Sequence, residues 1–484
     1  MKSRFFKIVG TITIINIVAR LFGFAREVII GYQYGTTYRA DSIISAFTLP
    51  NFLYIVLGGA VTTAFISVYS KLDSKRRVEF GQTIFSYLFI IIGIVTCLFL
   101  MFPEFWMGLI FSGMSAEALS LTSKLFIWTA PSTLFLVLSI GLSGLHNVHE
   151  NYHVSTFSTF IFNGVYLFIG VGLTPLLMEY SYALGATAGS VFMFSLLIYY
   201  IKKQQLLPLK FKIVRMPENK RFLKLIIPLL FGGATIQFYF LIQRMYASEL
   251  ADGAIAAINY SSKMTQFPQA VLMTSVTTII YPMLTKAAGE GNFSKISRAY
   301  QQGFRMLTLI LIPASVFVFM YAQEIITFIF QYGNFSVEST DATYPLLQVF
   351  SLAIISLAMN TYITRFFYAL ENTLLPTILN VLSVFGINTL VISLFLDEWG
   401  SLAIALGTVI SAFVNMFLLI FFAKVNLKLV VSKWAYIFKL AVFILIVIAI
   451  LWLTTLVPFG IFFSLITGGL VTLGLILGGL RVIK

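Results

Sequence analysis

The sequence predicts an all-α polytopic membrane protein of about fourteen transmembrane helices, arranged as two six-helix lobes plus two extra C-terminal helices. Three observations predict it. Apolar runs of about 20 residues, the length that crosses a bilayer core as helix, recur along the 484 residues. Hydrophobic residues make up 59% of the chain and charged residues 10%, far from the composition of a soluble domain. The connections between the runs alternate between basic and acidic or neutral, as the two sides of a membrane impose. Together these exclude a soluble enzyme, a disordered chain and a coiled coil. A β-barrel is excluded because the runs are continuously apolar instead of alternating over about ten residues.

In chain order the spans are expected over residues 8–32, 43–69, 82–102, 120–146, 154–176, 182–201 and 222–246. The remaining seven are expected over 255–284, 303–323, 342–368, 374–396, 400–423, 435–456 and 460–480. Lys2, Arg4 and Lys7 precede the first span. Lys71, Lys75, Arg76 and Arg77 join the second and third. Lys202, Lys203, Lys210, Lys212, Arg215, Lys220, Arg221 and Lys224 join the sixth and seventh. Lys286, Lys295, Arg298 and Arg305 follow the eighth, and Lys424, Lys428, Lys433 and Lys439 follow the twelfth. Arg481 and Lys484 end the chain. The opposite connections carry Glu104, Glu117, Glu179, Glu249, Asp252, Glu338, Asp341, Asp397 and Glu398. Basic loops face the cytoplasm, so both termini are expected there. The connection with His146, His149 and His153 carries no Lys or Arg and takes its side from the count alone.

The net charge of +14 is read as this topological signal, and no nucleic-acid partner is expected. The single cysteine, Cys97, leaves no disulfide framework within the chain and no Cys-rich metal site. The first span contains Arg20, Arg26 and Glu27, unlike a cleavable signal segment. There is no His-rich metal spacing, phosphate-binding loop or catalytic constellation, so no cofactor or metal is expected and the coupling ion is left open. Transport would then run on a gradient or on the membrane potential.

An internal repeat sets the expected domains. AVTTAFISVYSK (60–71) and SVTTIIYPMLTK (275–286) share Val61/Val276, Thr62/Thr277, Thr63/Thr278 and Lys71/Lys286, with Pro50 and Pro268 upstream. They end the second and eighth spans, so six helices separate them and the repeats run parallel. The expected division is an N-lobe over 1–203, a basic linker over 204–221, a C-lobe over 222–424 and helices thirteen and fourteen over 425–484. The linker is also placed to touch anionic lipid headgroups.

Polar residues inside spans are costly and usually face an interior or a cavity. Thr13, Asn16, Arg20, Gly23 and Glu27 recur at steps of three and four, on one face of the first helix. With Arg26 beside them they read as a cationic wall for an anion, or as ion pairs that hold helices together. Asn259, Lys263 and Gln266 share a face of the eighth helix, where Lys263 either binds an anion or snorkels. Asp41 opens the second helix, as a site residue or in a solvated salt bridge with Arg39. Gln237 and Arg244 share a face of the seventh, and Arg244 also fits an outer interfacial position. Gly58-Gly59, Gly185-x-x-x-Gly189 and Gly232-Gly233 read as close-packing points. Pro50, Pro131, Pro228, Pro268 and Pro313 read as kinks or helix ends.

The stretch ARLFGFAREVIIGYQYGTTYRADSIISAFTLPNFL (19–53) resembles the N-terminal signature of the MurJ/MviN family, lipid II flippases of the MATE-like multidrug/oligosaccharidyl-lipid/polysaccharide exporter superfamily. FQYGNF (330–335), RFFYALENTLLPTILNV (365–381) and the 255–284 helix resemble later segments of that family, so the likeness spans about residues 8–425. The resemblance implies a fourteen-helix, two-lobe fold in a bacterial cytoplasmic membrane, with a cationic central cavity. It implies a polyprenyl-diphosphate-linked glycan as substrate, lipid II for peptidoglycan synthesis. It also implies membrane lipids and cell-wall synthesis enzymes as partners, and a lipid-tail groove at helices thirteen and fourteen. Arg20 and Arg26 match the family's first-helix arginines, Asp41 its aspartate opening helix two, and Lys263 a position that is usually arginine. With Asn16, Glu27, Asn259 and Gln266 these make the expected substrate site. The chain departs from the pattern at Tyr54 and Ile55, where an Arg-Arg pair is typical, at Gly58, Ser262 and Gln266, and at Gln243 in place of an aspartate. These departures count against the sodium site described for some members. Three other readings stand beside this one: a flippase for a capsule, teichuronic or exopolysaccharide unit, a drug/cation antiporter, and a non-transporting scaffold.

Overall fold

A computed structural model describes residues 2–233, 235–431, 434–457 and 460–482. Of the positions singled out above, the side chains of Lys2, Arg4, Lys7, Pro228, Gly232, Gly233, Pro268, Val276, Thr277, Thr278, Lys433 and Lys484 lie outside the described residues. The described residues are helical, with no strand among them. Among the described residues, eleven helices are long and apolar enough to cross a membrane. The chain divides into two compact units, residues 1–256 and 257–484.

The first unit contains α1 (Lys2–Tyr34), α2 (Tyr38–Ala46), α3 (Thr48–Tyr69), α4 (Ser74–Met101), α5 (Pro103–Ile110), α6 (Ala116–Thr129) and α7 (Pro131–Val148). It continues with α8 (Tyr152–Gly172), α9 (Thr174–Leu177), α10 (Tyr180–Lys203), α11 (Pro217–Gly233) and α12 (Thr235–Ala247). α1 packs on α8, α8 on α10, α10 on α7, α7 on α3 and α4, and α3 on α11 and α12. Two of the expected single spans, 43–69 and 120–146, are each broken in two. The α2–α3 break has a local cause. Pro50 has no N–H to offer the Ala46 carbonyl one turn back, and Thr129 Oγ1 donates to that carbonyl instead, at 2.9 Å. α6 and α7 part at Ala130, where Pro131 begins the new helix.

Close approach of α8 and α10 depends on glycine. A Cβ at Gly185 would come within 2.8 Å of the Tyr166 carbonyl oxygen, and one at Gly189 within 2.8 Å of that of Phe162. Those are backbone atoms of a packed helix and cannot move aside. Gly189→Leu is therefore expected to remove the monodisperse folded peak in size-exclusion chromatography, at a cost of about 3 kcal/mol or more. Gly172→Ala, which opens onto free space, should leave it intact. The expectation for Gly58-Gly59 holds less well: Gly58 makes an ordinary contact with Ile140, and nothing lies within 4 Å of a Cβ at Gly59.

The basic connection after α10 is laced onto α4. Gln82 Nε2 donates to the Pro208 carbonyl at 2.7 Å. The Lys212 and Val214 N–H groups donate to Ser86 Oγ at 3.0 Å and Thr83 Oγ1 at 3.1 Å. Leu207 is buried beneath this strap, against Gly81.

α13 (Ala254–Gly289) begins in the first unit and runs into the second. The second unit then contains α14 (Phe293–Met320), α15 (Ala322–Phe330), α16 (Val337–Ala369), α17 (Leu374–Val381), a π-helical turn (Leu382–Asn388) and α18 (Thr389–Trp399). α19 (Ser401–Leu427), α20 (Trp434–Thr455) and α21 (Ile461–Val482) complete it. α16 packs on α14 and α19, and α14 also carries α20 and α21, around Leu309, Phe443, Val447 and Leu451. Thus α1, α11 with α12, and α13 are the helices at the three expected spans beyond the eleven.

Candidate functional site

The polar face predicted on α1 divides in two. Thr13, Asn16 and Arg20 are exposed, uncovered by protein along the helix. Polar groups so placed in a span favour a water-filled space over lipid. About two turns before the end of α1 the face becomes interior. There Arg26 Nη2 donates to Glu27 Oε1 at 2.7 Å. The Arg26 guanidinium lies 4.2 Å from the centroid of the buried Tyr166 ring on α8. Arg26 and Glu27 side chains are 14% and 7% exposed, so both charges sit where solvent screens them weakly. The cation–π contact and the ion pair hold the guanidinium flat against α8. Of the ion pairs the sequence allows, Glu27 takes its neighbour Arg26; Arg20 makes no ion pair among the described residues.

α12 adds Arg244. Its Nη1 donates to Thr48 Oγ1 at 2.8 Å, and Glu27 and Arg26 act on it electrostatically. Thr48 is buried at the start of α3 and donates its own hydroxyl proton to the Ile44 carbonyl at 3.0 Å. Its lone pairs therefore face the guanidinium. One turn and more along α1, Gln33 Oε1 accepts from the Tyr182 hydroxyl at 2.7 Å, which joins α1 to α10.

Asp41 does not form the salt bridge with Arg39. It is buried, and its two carboxylate oxygens accept from the Gly253 N–H at 2.6 Å and the Ala256 N–H at 2.7 Å. It caps the first turn of α13, where a negative charge also meets the positive end of the helix dipole. Gly253 makes this geometry possible: its φ is +94°, and a Cβ there would collide with the Thr36 backbone. Arg39 turns instead to Glu179, at 3.3 Å.

On α13 the expected face of Asn259, Lys263 and Gln266 is graded in burial. Asn259 is buried, while Lys263 and Gln266 are half-buried. The Gln266 Nε2 is enclosed and has no hydrogen-bond partner among the described residues. Ser262, where an acid is common in the resembled family, donates to the Asn259 carbonyl at 3.0 Å. At the end of the chain, α20 and α21 border an apolar cavity of about 450 Å³ lined by Phe438, Lys439, Val442, Ile446, Gly474 and Gly478.

Sequence reasoning offered Arg244 both a polar-face and an interfacial reading, placed Thr48 with Asp41 and Ser45 at the start of the second helix, and did not single out Tyr166. The available signal for Arg244 was its seven-residue spacing from Gln237. Tyr166 carries no periodic signal that separates it from ordinary core residues. The assembled chemistry is two guanidiniums against one carboxylate, backed by aromatic and hydroxyl groups, a setting that favours an oxyanion.

A family model described as lipid II flippase MurJ matches residues 30–469. The probable lipid II flippase MurJ of Buchnera aphidicola subsp. Baizongia pistaciae is 24% identical over 421 residues, covering 84% of this chain and 81% of that one. A solved structure of lipid II flippase MurJ in an inward closed conformation superimposes with a TM-score of 0.84 at 24% identity, covering 97% of each chain. An inward-facing multidrug resistance MATE family transporter of the MOP superfamily follows at a TM-score of 0.73 and 13% identity, covering 85% of this chain and 94% of that one. An all-helical polytopic membrane chain matched by that family model over nearly its whole length belongs to the MurJ family, a family of transporters and not of enzymes.

Proposed function

We propose that this protein is a lipid II flippase, carrying the polar headgroup of a polyprenyl-diphosphate-linked peptidoglycan precursor from the cytoplasmic to the outer leaflet. The observation that carries the reading is the net-positive cluster of Arg26, Glu27 and Arg244 against Tyr166, in line on α1 with the uncovered stripe of Thr13, Asn16 and Arg20. A diphosphate cannot cross apolar hydrocarbon unaided, because its desolvation is prohibitive. Fixed guanidiniums supply the missing solvation, and the prenyl tail stays in lipid.

Arg20, Arg26 and Lys263 neutralise the diphosphate in this scheme. Asn16, Glu27, Asn259 and Gln266 offer polar contacts, and Asp41 holds the start of α13. The apolar cavity at α20 and α21 suits a lipid tail, with Lys439 on its lining. The two lobes, joined along the chain by the 204–221 linker, alternate access by rocking. Both termini lie in the cytoplasm of a bacterial cell, on the side of the basic loops. With the interior negative, outward passage of an anion is favoured by about 2.3 kcal/mol per charge per 100 mV. Cell-wall synthesis enzymes are the partners that would consume the exported precursor. A drug antiporter would favour acids in its interior, and here the cations outnumber them.

Complementation tests the function. A host depleted of its lipid II flippase and expressing this chain is expected to regain surface-exposed lipid II and viability. A correctly inserted chain that leaves lipid II inside would overturn the assignment.

A further inference from the structure

We propose that Arg244 on α12 is a further fixed cation of the anion-binding site, beside Arg26, and supplies the positive charge that α3 lacks. The inference rests on the diphosphate reading above and assigns a direct binding role to Arg244, which that reading counts in the cluster but not among the groups that neutralise the diphosphate. α3 runs from Thr48 to Tyr69 without a single Lys or Arg, and positions 54 and 55 hold Tyr and Ile. Arg244 reaches α3 from another helix. Its guanidinium is anchored on the Thr48 hydroxyl, whose own proton is committed to Ile44. It also acts on Glu27 and Arg26. Glu27 can balance only one of the two guanidiniums, so the trio keeps one net positive charge among weakly solvated groups. Such a charge is costly inside a membrane protein unless an anion completes it. A phosphate-type oxyanion matches the planar donors of two arginines.

Position 54 looks toward the same place. The Tyr54 hydroxyl lies close to the Thr159 side chain on α8. Thr159 is seven residues from Tyr166, on the same face of that helix, and Tyr166 is the ring on which Arg26 lies. A cation returned to position 54 would therefore approach the stripe of α8 that Arg26 and Arg244 already face.

The test uses the purified full chain in lipid nanodiscs and two probes, a polyprenyl diphosphate and the corresponding uncharged polyprenol. Arg244→Ala is expected to weaken diphosphate binding at least tenfold and leave polyprenol binding unchanged. Tyr54→Arg added to Arg244→Ala should bring diphosphate affinity back to within a few-fold of the wild type. If Arg244→Ala does not fold, Arg244→Lys keeps the charge without the fork and is expected to bind diphosphate between the two extremes. Unchanged diphosphate binding in the folded variant would overturn the proposal. So would an equal loss of both probes, which marks a structural role, and so would a selective loss that Tyr54→Arg fails to restore. A wild-type chain that does not distinguish diphosphate from polyprenol would instead overturn the substrate reading.

Discussion

Arg26→Ala is expected to lower export of the lipid-linked headgroup at least a hundredfold. The measurement is surface-exposed lipid II in a flippase-depleted host, normalised to the amount of inserted protein. Two losses combine. The guanidinium that stacks on Tyr166 at 4.2 Å is gone, and Glu27 loses its 2.7 Å partner. Removing one member of a buried pair costs roughly 3–5 kcal/mol, which is two orders of magnitude or more in population or rate. The double variant Arg26→Ala/Glu27→Gln separates the effects, since it leaves no orphaned carboxylate. It should recover thermal stability and remain inactive. Arg26→Lys should fall between, because an ammonium attracts a diphosphate as a point charge without the bidentate fork or the flat stacking. Export at the wild-type rate by the folded double variant would show that the headgroup does not pass this cluster.

Asp41→Ala is expected to act on stability before it acts on transport. The carboxylate accepts from two buried N–H groups at the start of α13, and each orphaned donor costs on the order of 1–3 kcal/mol. A combined loss of about 2 kcal/mol corresponds to roughly thirtyfold faster opening. Hydrogen exchange at Gly253 and Ala256 should accelerate by that factor, with a lower melting temperature in detergent. Asp41→Asn should recover only part, since its amide nitrogen presents a donor to a donor. Exchange at those two amides that is unaffected by Asp41→Ala would show that the cap does not hold the helix start.

The helical character and the position of the spans were legible because hydropathy is a local property that each segment carries alone. The broken spans were legible in part: Pro50 and Pro131 announced their breaks, but nothing in the chain announced that Thr129 would satisfy the Ala46 carbonyl. The same holds for the strap on α4, whose polar partners Gln82, Thr83 and Ser86 read as ordinary residues of an apolar helix.

The candidate site divides along the same line. Periodicity placed Asn16, Arg20 and Glu27 on one face of α1 and Asn259, Lys263 and Gln266 on one face of α13, because the helical repeat alone determines which side chains share a face. Which neighbour each face meets is a matter of packing. Arg244 reaches Thr48 across 196 residues of sequence, and Asp41 reaches Gly253 and Ala256 across 212 and 215. Tertiary structure alone decided that Asp41 caps a helix and that Arg244 joins Arg26 and Glu27. A charged side chain in a low-dielectric interior settles on whichever partner the fold brings within hydrogen-bonding reach, and no local pattern encodes that choice.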